Sequence, residues 1–407
     1  MKRVTQITLG ILTAIGGFVD IGDLVANAET GARFRMGLAW AVVVGVVGIV
    51  VYAEMAGRVA AVSSRPVFDL VRERLGARVA LANLLASFFI NFLTLAAEIA
   101  GVALALELAS SVNYLLWIPF VAALVWLVLW RVRFETMERV FGLLGLALVV
   151  FGVALWRLHP EGLLTSAMHP GPPANETWAT YLFFAVALFG AAMTPYEVFF
   201  FSSGAVEERW TRRDLNVERA NVLIGFPLGG ALSLLLMGTT ATVLAPRGIT
   251  VEHLSQVGLP VALALGKVGL AVLIVGIFAA TFGAALETAL SAGYTVSQYF
   301  GWQWGKFVRP RQAPRFHLVV LVAIVLGGLL MLTAVDPIKV TEYSIVLAAA
   351  ALPLTYFPIL VVANDPGYMG DRVNGRVTNA IATVYLALLL IVAAATIPLM
   401  IITKGGA

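Results

Sequence analysis

The amino-acid sequence predicts an all-α polytopic membrane protein, and three observations carry that expectation. Of 407 residues, 60% are hydrophobic and only 12% are charged, a balance that excludes an ordinary soluble globular chain. The apolar residues fall in runs long enough to cross a bilayer, which takes roughly 20 residues each, with short polar clusters between them. The basic residues gather in alternate clusters, as the inner loops of a membrane protein do. The formal charge of +4 comes without a basic run interleaved with aromatic residues, so nucleic acid is not expected as a partner. The chain has no cysteine, which excludes a disulfide framework and a thiolate metal site.

Eleven apolar runs can be read in order, at about 8–31, 36–57, 79–108, 113–130, 140–156, 178–204, 217–245, 268–300, 317–334, 342–363 and 378–402. Their spacing leaves no room for a separate soluble domain, so residues 1–407 are expected to form a single membrane domain. With the N-terminus cytoplasmic, the inner segments hold twenty of the 27 Lys and Arg residues: Lys2 and Arg3, then Arg58 to Arg78, Arg131 to Arg139, Arg209 to Arg219, Lys306 to Arg315, and Arg372 and Arg376. The expected location is therefore an inner (plasma) membrane, with the N-terminus inside and the C-terminus outside. Met1-Lys2-Arg3, an apolar run and Ala26-Asn27-Ala28 imitate a cleavable secretory signal. Asp20 and Asp23 would then lie in its apolar core, where charge is costly, so a retained first span is expected instead. Pro170 to Pro173 reads as a short outer turn.

Two spans are interrupted by residues foreign to a plain lipid-facing helix. In the first, Gly16-Gly17-Phe18-Val19-Asp20-Ile21-Gly22-Asp23 puts glycines and two carboxylates mid-span. In the sixth, Gly190-Ala191-Ala192-Met193-Thr194-Pro195-Tyr196-Glu197 contains a proline that lacks an N–H and clashes with the preceding turn, so the helix must bend or unwind there. Breaks in spans one and six occupy corresponding positions of two five-span halves, about 8–156 and 178–363, with an extra helix at about 378–402. That arrangement points to a transporter built from inverted repeats, with its substrate at the midplane between two discontinuous helices. Unwound backbone in lipid exposes carbonyls that a cation can satisfy, and carboxylates beside them make the cavity a cation site. Asp20 and Asp23 repel each other at this separation unless a proton or a cation intervenes. Intramembrane acids can also serve packing by pairing with a neighbouring Lys or Arg, but none lies within the first, third, sixth or tenth span. Asp23 has a second reading, as a capping acceptor for the second half-helix. Glu54 and Arg58, four residues apart, read as a structural ion pair, and the four histidines have no metal-site spacing.

At these residues the sequence resembles the NRAMP family of divalent-metal transporters, over roughly 380 residues. The family's first-span motif Asp-Pro-Gly-Asn is similar to Asp20-Ile21-Gly22-Asp23. Its sixth-span motif Ala-x-x-Met-Pro-His is similar to Ala191-Ala192-Met193-Thr194-Pro195-Tyr196, anchored on the proline. Glu98 in Ala97-Glu98-Ile99-Ala100-Gly101, the segment from Leu286 to Phe300, and Ala351-Leu352-Pro353 extend the likeness. The resemblance implies a LeuT-type fold of about eleven helices with broken helices one and six. It also implies metal coordination by Asp20, by Asp23 where the family has Asn, by the Ala191 carbonyl, and by Thr194 where the family has Met.

The departures matter chemically. Thr for Met exchanges a soft thioether for a hard hydroxyl oxygen, and an all-oxygen site with two carboxylates suits Mg²⁺, Mn²⁺ or a trivalent hard ion. Met193, next door, could restore a thioether only if the segment is unwound. Tyr196 stands at the family's proton-handling His, and tyrosine does not exchange protons near neutral pH. Glu98 is what remains of the acids in span three, Leu95 standing at the second position. The pattern is closest to the NRAMP-related magnesium transporters. Glu197 reads either as a vestibule acid that attracts cations or as the partner of an inner-side base, and Glu287 either as a relay acid or as a packing hydrogen bonder. The expectation is a transporter, not an enzyme, that imports a hard divalent cation, Mg²⁺ and also Mn²⁺, by alternating access with weak or no proton coupling. A proton-coupled Mn²⁺ or transition-metal symporter is the alternative. A sodium-coupled amino-acid transporter fits less well, because Asp20 and Asp23 would repel a substrate carboxylate. No cofactor is expected; the metal ion is cargo, the lipid bilayer is the other partner, and a monomer suffices.

Overall fold

The computed structural model describes residues 18–132 and 134–406, and every regular element among them is helical. The chain runs through α1 (Ile21–Phe34), α2 (Ala39–Ser63), the short α3 (Val67–Leu75), α4 (Ala77–Ser110) and α5 (Tyr114–Arg131). It continues through α6 (Phe134–Gly145), a 3₁₀ turn, α7 (Val150–Leu158), the short α8 (Leu163–Met168), and α9 (Trp178–Ala192) followed by α10 (Pro195–Glu207). The remainder is α11 (Leu215–Val243), α12 (Leu254–Phe300), α13 (Pro314–Leu332), α14 (Pro337–Ala363), the single turn α15 (Pro366–Met369) and α16 (Arg376–Ile402).

Ten stretches among the described residues are long and apolar enough to cross a membrane, and they correspond to the second to eleventh expected runs. Residues 8–17 of the first run, with Gly16 and Gly17, lie outside the described residues; the rest of that run leads through Asp20 into α1. The main departure from expectation is at the eighth run, where helix begins at Leu254 and not near 268. A straight helix of its 47 residues would extend about 70 Å, more than twice the hydrocarbon thickness of about 30 Å. Gly266, at φ 66° and ψ −156°, breaks it into two pieces; only glycine adopts this conformation without steric penalty.

Polar contacts sort the connecting segments to two ends of the bundle. At one end Arg74 pairs with Asp365 at 2.5 Å, Arg212 with Asp371 at 3.1 Å and Arg219 with Glu54 at 3.2 Å. Arg58 pairs there with Glu54 at 3.1 Å, as its spacing predicts, and also donates to the Arg372 carbonyl and to Asn374 Oδ1, each at 2.5 Å. At the other end Arg33 pairs with Glu176 at 2.7 Å and donates to the Gly406 carbonyl, while Glu29 accepts the Val251 N–H at 2.6 Å. Between the ends, large apolar side chains in the middle of helices, such as Leu228, Val325, Val384 and Leu390, are exposed on the periphery, which is where lipid would cover them.

Each interruption expected in spans one and six is present where the residues permit no continuous helix. Asp20 is extended, at φ −100° and ψ −178°, and caps α1 by accepting the Asp23 N–H on Oδ1 at 2.7 Å. Met193 and Thr194 are non-helical between α9 and α10, and Pro195 opens α10 at the first-turn position proline favours. α14 packs against both interruptions. A Cβ at Gly190 would lie 1.8 Å from the Ile345 carbonyl oxygen of α14, so the two backbones touch there. Gly190→Ala is therefore expected to destabilise the protein by about 1–3 kcal/mol through overpacking, read as a lower midpoint of thermal unfolding in detergent; an unchanged midpoint would contradict this contact.

Candidate metal site

The site is built from two helix ends meeting between α4, α12 and α14. At the start of α1 the first N–H groups have no partner within the helix and attract negative charge. Two carboxylates answer them. Asp20 takes the Asp23 N–H, and Glu98, from the middle of α4, takes the Ile21 N–H at 3.1 Å on Oε1 and 3.4 Å on Oε2. At the other break Pro195 offers no N–H to the Ala191 carbonyl, so that oxygen is released from helical pairing by the sequence itself. The Met193 carbonyl accepts from Tyr356 Oη of α14 at 3.1 Å, and the Tyr196 carbonyl from Ser291 Oγ of α12 at 3.1 Å. Tyr356 and Ser291 were not singled out from the sequence, because an isolated hydroxyl in an apolar run carries no signal of what it meets.

Asp20, Glu98 and Thr194 line one small cavity of about 10 Å³, room for about one water. Its other polar walls are Thr94, Thr341 and Ser344, and Thr94 and Ser344 bridge α4 to α14 at 2.8 Å. Tyr196 adjoins the cavity by donating its hydroxyl to Asp20 Oδ2 at 3.2 Å. Glu197 follows on α10, where Oε2 accepts from Thr194 Oγ1 at 3.4 Å and the buried Oε1 has no hydrogen-bond partner. Glu287 of α12 is half-buried, near enough to Asp20 and Glu197 for their charges to interact. Ala191 is buried one turn before Pro195, outside the cavity wall.

Asp23 is placed differently from Asp20. The capping acceptor of α1 is Asp20, and Asp23 supplies the N–H, the reverse of the capping role the sequence allowed for Asp23. Its carboxylate turns towards α11, where Ser233 Oγ donates to Oδ2 at 2.6 Å and Asn27 Nδ2, one turn along α1, donates to Oδ1 at 2.8 Å. Asp20, Asp23, Glu98 and Glu197 are all buried, and neither they nor Glu287 are ion-paired with a Lys or Arg among the described residues. Glu197 accordingly lacks the basic partner that its packing reading required. Charge balance in such a group must come from cations or protons. No three His, Cys, Asp or Glu side chains among the described residues form a ready-made metal centre. A cation held here would need hydroxyl, carbonyl or water oxygens beside one or two carboxylates.

Comparison with known proteins bears on the family and the fold. The chain is 26% identical over 380 residues to the divalent metal cation transporter MntH of Erwinia tasmaniensis, covering 88% of this chain and 86% of that protein. It is 24% identical over 404 residues to MntH of Aeromonas hydrophila subsp. hydrophila, covering 95% and 94%. Among solved structures it is similar to the manganese transporter of Eremococcus coleocola, with a TM-score of 0.73, 16% identity and coverage of 96% and 85%. It is similar also to Mhp1, a nucleobase-cation-symport-1 family transporter, with a TM-score of 0.63, 18% identity and coverage of 98% and 92%. The fold is thus that of the LeuT-type transporters. The model of the family described as natural resistance-associated macrophage protein-like matches residues 10–398, and the chain belongs to this Nramp family of membrane transporters, which are not enzymes.

Proposed function

We propose that this protein imports a hard divalent cation, Mg²⁺ and also Mn²⁺, by alternating access through the site at the two helix breaks, with weak or no proton coupling. The single observation that carries the reading is the make-up of the cavity, lined by Asp20, Glu98 and Thr194 with no sulfur-bearing residue in its wall. Oxygen ligands of this kind suit Mg²⁺ and Mn²⁺, whereas a thioether would favour softer transition metals. Met193 is buried against Gly48 of α2, away from the cavity lining, which supports the view that it does not stand in for the missing thioether. Asp20, Asp23, the Ala191 carbonyl and Thr194 are the proposed metal groups. Glu98, Tyr196, Glu197 and Glu287 border the pathway. Tyr196 donates its hydroxyl to Asp20, where a histidine could have exchanged a proton.

The relatives' names, divalent metal cation transporter and manganese transporter, support divalent-metal transport in general and Mn²⁺ in particular. The alternative reading, a proton-coupled Mn²⁺ symporter, is favoured by the surplus of buried carboxylates, which protons as well as metal could neutralise. The proposed architecture is one domain of two inverted repeats, about 8–156 and 178–363, with an extra helix about 378–402. The proposed setting is the plasma membrane, N-terminus inside and C-terminus outside. The end of the bundle that carries Arg58, Arg72, Arg74, Arg212 and Arg219 is then the inner one.

Asp20→Ala is expected to reduce Mg²⁺ and Mn²⁺ uptake into proteoliposomes to the background of empty vesicles, with the protein still monodisperse in detergent. Retained uptake would remove Asp20 from the site. Thr194→Met is expected to shift the Mn²⁺ to Mg²⁺ uptake ratio toward Mn²⁺ by about tenfold, equivalent to about 1.4 kcal/mol of differential binding. If the ratio stays at its wild-type value, the hydroxyl at 194 does not set the preference.

A further inference from the structure

We propose that the loop joining α12 to α13, with the start of α4, is a binding site for the head group of an anionic phospholipid of the inner leaflet. The inner placement rests on the orientation proposed above. Residues 300–315 open with the aromatic side chains Phe300, Trp302 and Trp304 and go on to Lys306, Arg309, Arg311 and Arg315, with no acid among them. The turn is made at Gly301, whose φ of 67° ends α12 in the left-handed region, and the Trp302 N–H returns to the Ser297 carbonyl at 2.9 Å. Trp302 is thereby stacked on Phe300, with ring centroids 4.8 Å apart, and the Arg315 guanidinium lies over the same indole at 5.1 Å. The Gln312 and Ala313 N–H groups return to the Arg309 carbonyl at 2.8 and 3.1 Å, which folds the loop onto the first turn of α13. From the other side, Arg72 of α3 donates to the Tyr299 carbonyl, and the Tyr299 hydroxyl donates to the Ala77 carbonyl at 3.4 Å. These contacts set Arg78, in the first turn of α4, beside the same end of α12.

Two features separate these arginines from the ones that hold the fold together. Elsewhere at this end arginines have acid partners: Arg65 pairs with Glu73 at 2.8 Å, Arg74 with Asp365 at 2.5 Å and Arg212 with Asp371 at 3.1 Å. Arg78, Arg309, Arg311 and Arg315 are exposed, and none of them is ion-paired among the described residues. The acids of α3, Asp69 and Glu73, lie within reach of the charges of Arg65 and Arg72. Stacking on an indole steadies a guanidinium without neutralising it, so Arg315 keeps its charge and its N–H donors for a phosphate. The second feature is what adjoins the charge. The helices that leave the loop are apolar at once, with Val79 and Leu85 of α4 and Leu318 and Val322 of α13 exposed. Unpaired arginines at the membrane surface, next to bare apolar helix, match a phospholipid: phosphate on the one, acyl chains along the other. A free phosphate or a soluble polyanion would gain nothing from the apolar flank, and the inner leaflet is where anionic lipids attract such clusters.

The test titrates the full-length protein in neutral detergent with phosphatidylglycerol and, separately, with phosphatidylcholine, and measures bound lipid by native mass spectrometry. Wild type is expected to prefer phosphatidylglycerol. Each arginine near an anionic lipid surface contributes about fivefold in affinity, so Arg309→Gln, Arg311→Gln and Arg315→Gln together are expected to weaken phosphatidylglycerol binding by about 100-fold and leave phosphatidylcholine binding unchanged. Should that variant fail to fold, Arg315→Gln alone is expected to weaken it by about fivefold. Trp302→Leu, which removes the support under Arg315 and no charge, is expected to act in the same direction. The control removes three other exposed arginines of the same end, Arg209→Gln, Arg213→Gln and Arg376→Gln, and is expected to stay near the wild-type affinity. Equal losses in the two triple variants would mean attraction by overall charge and would overturn the site, as would wild-type affinity in the loop variants. Displacement of the lipid by millimolar inorganic phosphate would mean an anion pocket and would overturn it too. The chain has no cysteine, so Gln312→Cys reports the side of the membrane: a membrane-impermeant maleimide is expected to label it only in permeabilised cells. Labelling in intact cells overturns the inner placement together with the proposed orientation, whereas lost lipid selectivity overturns the site and leaves that orientation standing.

Discussion

A helix interrupted inside a membrane frees N–H and C=O groups that hydrocarbon cannot satisfy, and the core of this protein is organised around meeting that requirement twice. At the start of α1 the free donors are met by acids, Asp20 for the Asp23 N–H and Glu98 for the Ile21 N–H. At the break before α10 the Met193 carbonyl is met by the Tyr356 hydroxyl, and Ser291 adds a second donor to the Tyr196 carbonyl in the first turn of α10. The Ala191 carbonyl is released because proline stands four residues on. Donor-rich and acceptor-rich helix ends thus lie side by side. In the proposed function, the same groups that make the interruptions tolerable are the ones that supply a cation with negative charge and oxygen ligands.

The distribution of ion pairs divides the molecule by role. Arginines at the two ends are spent on structure: Arg58 engages Glu54, Arg372 and Asn374, while Arg33 engages Glu176 and Gly406. In the middle, Asp20, Asp23, Glu98 and Glu197 are buried with only neutral hydrogen-bond donors. A buried carboxylate without a basic partner is expensive for the fold, and four of them in one region make sense when a mobile positive charge completes the set. The Thr94 and Ser344 hydroxyls and the wall of the small cavity add polarity without adding charge. Hard oxygen atoms are therefore what the described residues offer a passing ion.

The fold was legible in the sequence to within a few residues at most span ends, because apolar runs in a bilayer are terminated by polar clusters whatever the tertiary structure. The stretch from Leu254 to Leu265 was not. Gly258, Pro260 and Gly266 punctuate it, and read alone they mark a loop; only the packed structure shows helix on both sides of Gly266. Both interruptions could be read because Pro195 and the Asp20 to Asp23 cluster have no place in a continuous lipid-facing helix. What local pattern could not convey was direction. Asp20 and Asp23 are three residues apart, yet one carboxylate faces α10 and the other α11, since Tyr196 and Ser233 arrive from separate parts of the chain. Glu98 was legible as an acid in span three, but its bond to the Ile21 N–H depends on how α4 crosses the start of α1.

The most direct measurement is uptake of Mg²⁺ and of Mn²⁺ by the wild-type protein in proteoliposomes, with a pH-sensitive dye sealed inside and read in the same experiment. A site of hard oxygen atoms, with tyrosine and not histidine beside Asp20, is expected to pass both ions while the internal pH stays constant. Uptake of Mn²⁺ alone, accompanied by internal acidification, would contradict it and would mean that the buried carboxylates carry protons along with the metal.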